Sequence, residues 1–337
     1  MEIRISQLTA ASYVLTAALL VVILPLHLLP VLLAGLLVYS LVHALAPLLQ
    51  RHLPGARAHW LVVALLSCVV VGLLTIATIS LVAFLRSEAG NPAQLLEGNR
   101  VIALLDHARE QLPAFVVNHL PDNIYELRTI VFNWLGQHAD RLQLAGTKVG
   151  KGVVHLLIGM LLGAMIALHT ARPALRRGPL LGILATRSAN LATAFRDIVF
   201  AQVKISGINT LFTAIFLLIV LPLFGVSLPF AKTLVIVTFV VGLLPVIGNL
   251  ISNTIIFLVG LTVSLWVALA ALGFLIVIHK LEYFLNARIV GGQIRARAWE
   301  ILIAMLLMEA IFGIAGLIAA PIYYAYLKRE LEAAKLI

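Results

Sequence analysis

Long apolar blocks alternate along the chain with short groups of charges. No Asp, Glu, Lys or Arg occurs between Ile5 and Gln50, nor between Thr233 and His279. A helix crossing a bilayer uses about 20 apolar residues, so each stretch holds material for two crossings, or for a crossing and a hairpin. Working outward from the charges predicts helices at about 8–25, 29–48, 60–85, 151–170, 203–224, 230–247, 250–279 and 300–327. Pro25 to Pro30 and Pro222 to Pro229 bracket short uncharged reversals. Proline lacks an amide donor and interrupts a continuing helix, so both pairs predict tight helical hairpins. At about 1.5 Å per residue, 250–279 as one helix is about 45 Å long against a hydrocarbon core of about 30 Å, which predicts a broken or strongly tilted element. The expected fold class is all-α: a polytopic membrane protein of about eight transmembrane helices, with a broken or re-entrant segment in the C-terminal half and a small helical external insertion.

Three regions follow from this pattern. Residues 1–85 hold the first three transmembrane helices, 86–148 form a polar, amphipathic-helical extracytoplasmic insertion, and 149–337 hold the remaining helices with a basic cytoplasmic loop at 171–202. In the insertion, Asp122 can cap a helix whose Ile124, Leu127, Val131, Trp134 and Leu135 share one face. Orientation follows from lysine and arginine. Arg51 and Arg57, and Arg172, Arg176, Arg177, Arg187 and Arg196, place two loops in the cytoplasm, and crossing parity then puts both termini there with Lys328, Arg329 and Lys335. One loop conflicts: Lys280, Arg288, Arg295 and Arg297 fall outside if eight simple crossings are counted.

Composition supports the membrane reading. The chain is 62% apolar and 11% charged, with a mean hydropathy of +1.08, where a soluble chain carries about 25% charge. Its net charge of +10 flanks apolar blocks and lines no single helix face, so it points to membrane lipid as a partner and away from nucleic acid. The single cysteine, Cys68, lies in an apolar run and is expected to be a packing residue. The first apolar block continues into a second and is read as an anchor, not as a cleaved leader. There is no phosphate-binding glycine loop, no nucleophile elbow, and no zinc spacing around His52 and His59. We therefore expect no cofactor, no metal and no enzymatic activity.

Polar groups inside the apolar blocks are the functional candidates. Gly242, Pro245 and Gly248 interrupt a helix, and Asn249, Ser252 and Asn253 follow with hydrogen-bonding side chains. Such a break serves either as a substrate path or gate, or as an ordinary surface turn capped by Asn249. Glu309, about 13 Å into the last apolar segment if that segment is helical, is expected to face the bundle interior, pair with a cation or be protonated, as a proton- or cation-coupling group or as a structural buried pair or helix contact. Lys280 and Glu282 form a charged junction that either anchors a helix end or contributes to a gate. Gly152, Gly159 and Gly163, and Gly313 and Gly316, form small-residue faces that favour close helix packing. Gly35 adds little alone.

On Leu244, Pro245, Ile247 and Gly248, then Glu282, Gly291 and Gly292, then Gly313, Gly316 and Pro321, the sequence resembles the AI-2E transporter family of PerM-like permeases, over nearly the whole chain. Where that family often has prolines, Ala287 and Trp299 or Glu300 stand here. The resemblance implies a membrane transporter or exporter that assembles into a homo-oligomer. Its members have been associated with export of autoinducer-2, and others with sodium or lithium efflux against protons. The expected function is a secondary transporter of a small solute or monovalent cation in a bacterial inner membrane, coupled to a proton or cation gradient. A passive channel and a non-transporting scaffold are the alternatives.

Overall fold

Every regular element among the described residues is helical. The computed structural model describes residues 2–51, 56–86, 136–170, 178–243, 247–294 and 296–336, with isolated positions 126, 129 and 133. Its helices are α1 (Glu2–Ile23), α2 (Leu29–Leu49), α3 (Ala56–Arg86), α4 (Ala139–Thr170), α5 (Pro179–Ile215), α6 (Ala231–Gly242), α7 (Ile247–Leu261), α8 (Leu265–Ile294) and α9 (Ala298–Ala333). A π-helical turn, Phe216–Val220, and a last turn, Leu221–Leu223, prolong α5. Among the described residues, five stretches are long and apolar enough to cross a bilayer. The chain is an all-α integral membrane protein. The helix expected from Asp122 to Leu135 falls almost wholly outside the described residues.

α2 and α4 touch through their backbones. A side chain at Gly159 would collide with the carbonyl of Val31, and one at Gly163 with the carbonyl of Gly35. Close approach of this kind is how helices gain packing energy where lipid removes the hydrophobic drive between them. A side chain at Gly152 would meet nothing within 4 Å among the described residues, and Gly35, unremarkable in the sequence, is part of the contact. Cys68 is exposed on α3 and does not pack in the core.

The basic stretch expected as a loop is helical from Pro179 onward. Proline in the first turn gives up an amide that no helical carbonyl needs, so it starts α5 instead of breaking it. With its extension, α5 covers 45 residues, about 67 Å as a helix and more than twice the hydrocarbon thickness. Its first half packs on α1 and α9 through Leu191, Phe195 and Ile198 against Leu20, Ile322 and Tyr326. Its far end packs on α6 to α8, with Phe216 stacked on Phe274 at 4.1 Å between centroids.

Two long apolar segments are broken. Residues 250–279 divide at 262–264, where Ser264 Oγ accepts the Val267 amide at 3.1 Å and caps α8, and Gly260 lies against Ala268. The segment expected as one helix at 300–327 reverses direction instead. Gly313 has φ 62° and ψ −146°, and a side chain at Gly316 would strike the carbonyl of Met308. Glu300 Oε2 accepts from Tyr324 OH at 2.5 Å and from Lys328 Nζ at 3.4 Å. In a straight helix residues 300 and 324 would stand about 36 Å apart. α9 is therefore a hairpin with arms 298–312 and 314–333.

Candidate functional site

The α6–α7 break lies against a polar stripe of α5. Gln202, Ser206 and Asn209 recur at helical spacing and reach the break from one side of α5, and Thr213 is buried one turn further on. Gln202 Nε2 donates to the Gly242 carbonyl at 2.8 Å, and Ser206 Oγ donates to the Phe239 carbonyl at 2.7 Å. These bonds satisfy carbonyls at the end of α6 that have no further turn of helix to accept from. Asn209 Nδ2 donates to Asn249 Oδ1 at 2.8 Å, with both asparagines only 6% exposed. Ser252 Oγ donates to the Asn249 carbonyl at 3.2 Å. Asn209 Oδ1 and Thr210 Oγ1 are buried without a hydrogen-bond partner.

Glycine makes this seam close. Gly242 is buried beside Ser206 Oγ and near Asn249 Oδ1, and a side chain at Gly248 would strike the Val241 carbonyl. The end of α6 and the start of α7 thus meet backbone to backbone. Of the other predicted site residues, Pro245 lies outside the described residues, as does the side chain of Glu282, whose backbone belongs to α8. Asn253 is half-buried one turn beyond Asn249. Glu309 is exposed on the first arm of α9, one turn before Gly313, beside the exposed Leu302, Leu306 and Ile311. It does not face the bundle interior of the single chain.

A second buried polar cluster is absent from the sequence reading. Arg187 of α5 pairs with Glu330 of α9, and its Nε donates to Ser12 Oγ of α1 at 2.7 Å. Asn190 Nδ2 donates to Glu330 Oε1 at 3.1 Å, and the Arg187 guanidinium lies 3.4 Å over the Tyr13 ring. Arg187 is 5% exposed and Glu330 4%. Nearby, Arg329 pairs with Asp197 at 2.7 Å. The α5 stripe had a sequence signal, the spacing of Gln202, Ser206 and Asn209. The ion pair had none, because its members lie 143 positions apart in stretches that read as ordinary basic and terminal segments.

A family model described as AI-2E family transporter matches residues 10–335. The chain belongs to the AI-2E transporter family. No curated protein sequence and no solved structure gives a match. Membership makes this a membrane protein of a transporter family, and its match extends over the α6–α7 break and the α9 hairpin.

Proposed function

We propose that this AI-2E family member is a secondary transporter that moves a small solute or monovalent cation through the seam between α5 and the α6–α7 break, driven by a proton or cation gradient. The observation behind this reading is the buried Asn209–Asn249 bond across a helix break. Polar side chains and interrupted backbone are costly in hydrocarbon and persist where protein or water shields them. Helix ends that meet within the membrane bring carbonyls, amides and side-chain oxygens together, which is the arrangement that binds solutes in discontinuous-helix carriers.

Element lengths support a topology that suits this role. α6 has 12 residues and α7 has 15, about 18 and 22 Å, both short of the hydrocarbon core. We read them as a re-entrant pair entering from outside, and the α9 arms as a second pair entering from the cytoplasm. α8 then returns inward, and Lys280, Arg288, Arg295 and Arg297 fall on the cytoplasmic side with both termini. That agrees with the positive-inside bias, whereas eight through-crossings do not. The inner membrane of a bacterium is the expected location. Glu309 would sit near the tip of the inner hairpin. A carboxylate there is costly against hydrocarbon, so we read its face as turned to water or to a second copy of the chain.

Purified protein in liposomes, with imposed pH and sodium gradients and a proton-sensitive dye, tests the proposal. Gradient-driven flux is expected, lost in Asn209→Leu and Asn249→Leu variants that still fold, and uncoupled from the gradient in Glu309→Gln. Absence of driven flux for every solute tested would overturn the transporter reading. Conductance in a planar bilayer that persists without a coupling gradient would replace it with a channel.

A further inference from the structure

At the end of the bundle where the α2–α3 and α4–α5 connections lie, three helices bring two histidines and a hydroxyl together. His43 on α2 and His59 on α3 have ring centroids 6.1 Å apart, nearly perpendicular at 75°. Thr170, the last residue of α4, has Oγ1 3.4 Å from His43 Nε2.

The hydrogen bonds narrow where the protons can be. His43 Nδ1 lies 2.9 Å from the Tyr39 carbonyl oxygen, which can only accept, so Nδ1 carries a proton and Nε2 is the nitrogen available as a ligand. Thr170 Oγ1 lies 3.0 Å from the Ile166 and Ala167 carbonyls of its own helix. Its single proton is shared among three acceptors, the two carbonyls and His43 Nε2 at 3.4 Å, so not all of them can be satisfied at once. In the same cluster His59 Nδ1 is buried and has no hydrogen-bond partner among the described residues. The Tyr39 ring lies tilted against His43, with centroids 4.0 Å apart, and packs that ring in place.

We propose that His43, His59 and Thr170 form a binding site for a transition-metal dication of the zinc, nickel and copper class. Neutral imidazole suits these ions, whereas magnesium and calcium prefer oxygen-rich sites. An imidazole that donates its other nitrogen to a backbone carbonyl is also the arrangement that orients metal-bound histidines. Among the described residues no group of three or more His, Cys, Asp or Glu assembles. The site therefore rests on two imidazoles and a hydroxyl, with water completing the coordination shell, and it binds reversibly. Occupancy ties α2, α3 and α4 together at one end and makes the stability of this group respond to metal.

The test uses full-length, tag-free, chelator-stripped protein in detergent, titrated with Zn2+, Ni2+ or Mg2+ by calorimetry and thermal melting. One saturable equivalent of Zn2+ per chain is expected, with a melting temperature that rises with Zn2+ concentration and no response to Mg2+. His43→Gln and His59→Gln each remove that equivalent, and Thr170→Val weakens it several-fold. If His43→Gln fails to fold, His59→Gln carries the same test, since the Nδ1 it replaces has no partner to lose. No saturable Zn2+ equivalent in the wild type, or an equivalent that survives His59→Gln, overturns the proposal.

Discussion

Gly316 lies against the carbonyl of Met308, more than two helical turns earlier in the chain. A continuous helix would hold the two about 12 Å apart. Their contact makes the 36-residue α9 a hairpin and moves Glu309 from the middle of a supposed crossing to the neighbourhood of a hairpin tip.

Cross-linking tests that geometry. In a Cys68→Ser background, Glu300→Cys with Tyr324→Cys is expected to be bridged within one chain by a short bifunctional thiol reagent, seen as a cross-linked peptide pair by mass spectrometry. A straight helix forbids the bridge, because it would hold the two positions about 36 Å apart.

Gly313→Ala tests the hinge. The position is open, with nothing within 4 Å of an added Cβ, so any cost comes from the backbone, whose φ of 62° with ψ of −146° strains every residue but glycine. A loss of about 1–3 kcal/mol is expected, read as a lower melting temperature in detergent, while Gly273→Ala, in open space within α8, changes it little.

The α2–α4 contact yields a comparison within one helix. Gly159→Leu and Gly163→Leu force the backbones apart and are expected to give unfolded or unstable protein. Gly152→Leu, where nothing lies within 4 Å, melts within a few degrees of wild type. Equal effects at all three positions would show that α4 does not pack on α2 by this face.

The buried pair of Arg187 and Glu330 predicts an asymmetric double-mutant cycle. Removing one partner strands a buried charge, at a cost of about 3–5 kcal/mol. Arg187→Met and Glu330→Met should each destabilise strongly, and the double variant should recover most of the loss. Chemical denaturation in detergent measures the cycle.

Several elements were legible before any coordinates. The uncharged runs around α1 and α2 and the proline-bounded reversals mark helices and turns because hydrocarbon admits only chain whose backbone bonds are made internally. The α6–α7 break was legible for the same reason: Gly242, Pro245, Gly248 and Asn249 sit where an uninterrupted helix would have no use for them. The division of 250–279 followed from its length. By contrast, Gly313 read as one more small packing residue, since glycine is frequent in transmembrane helices and only its backbone angles distinguish a hinge. The basic stretch from Pro179 read as a loop because charge density and helicity are independent properties.

The sequence by itself determined that this chain lives in a bilayer as helices, where some of its interruptions fall, and which family it joins. Hydropathy is a sum over neighbours in the chain, and the solvent it reports on is the same wherever those neighbours end up. Only the tertiary structure decided partners: Asn209 with Asn249, Arg187 with Glu330, His43 with His59, and the arms of α9 with each other. Those pairings depend on direction and depth, which a chain acquires only when it turns back on itself and each buried polar group must find its complement.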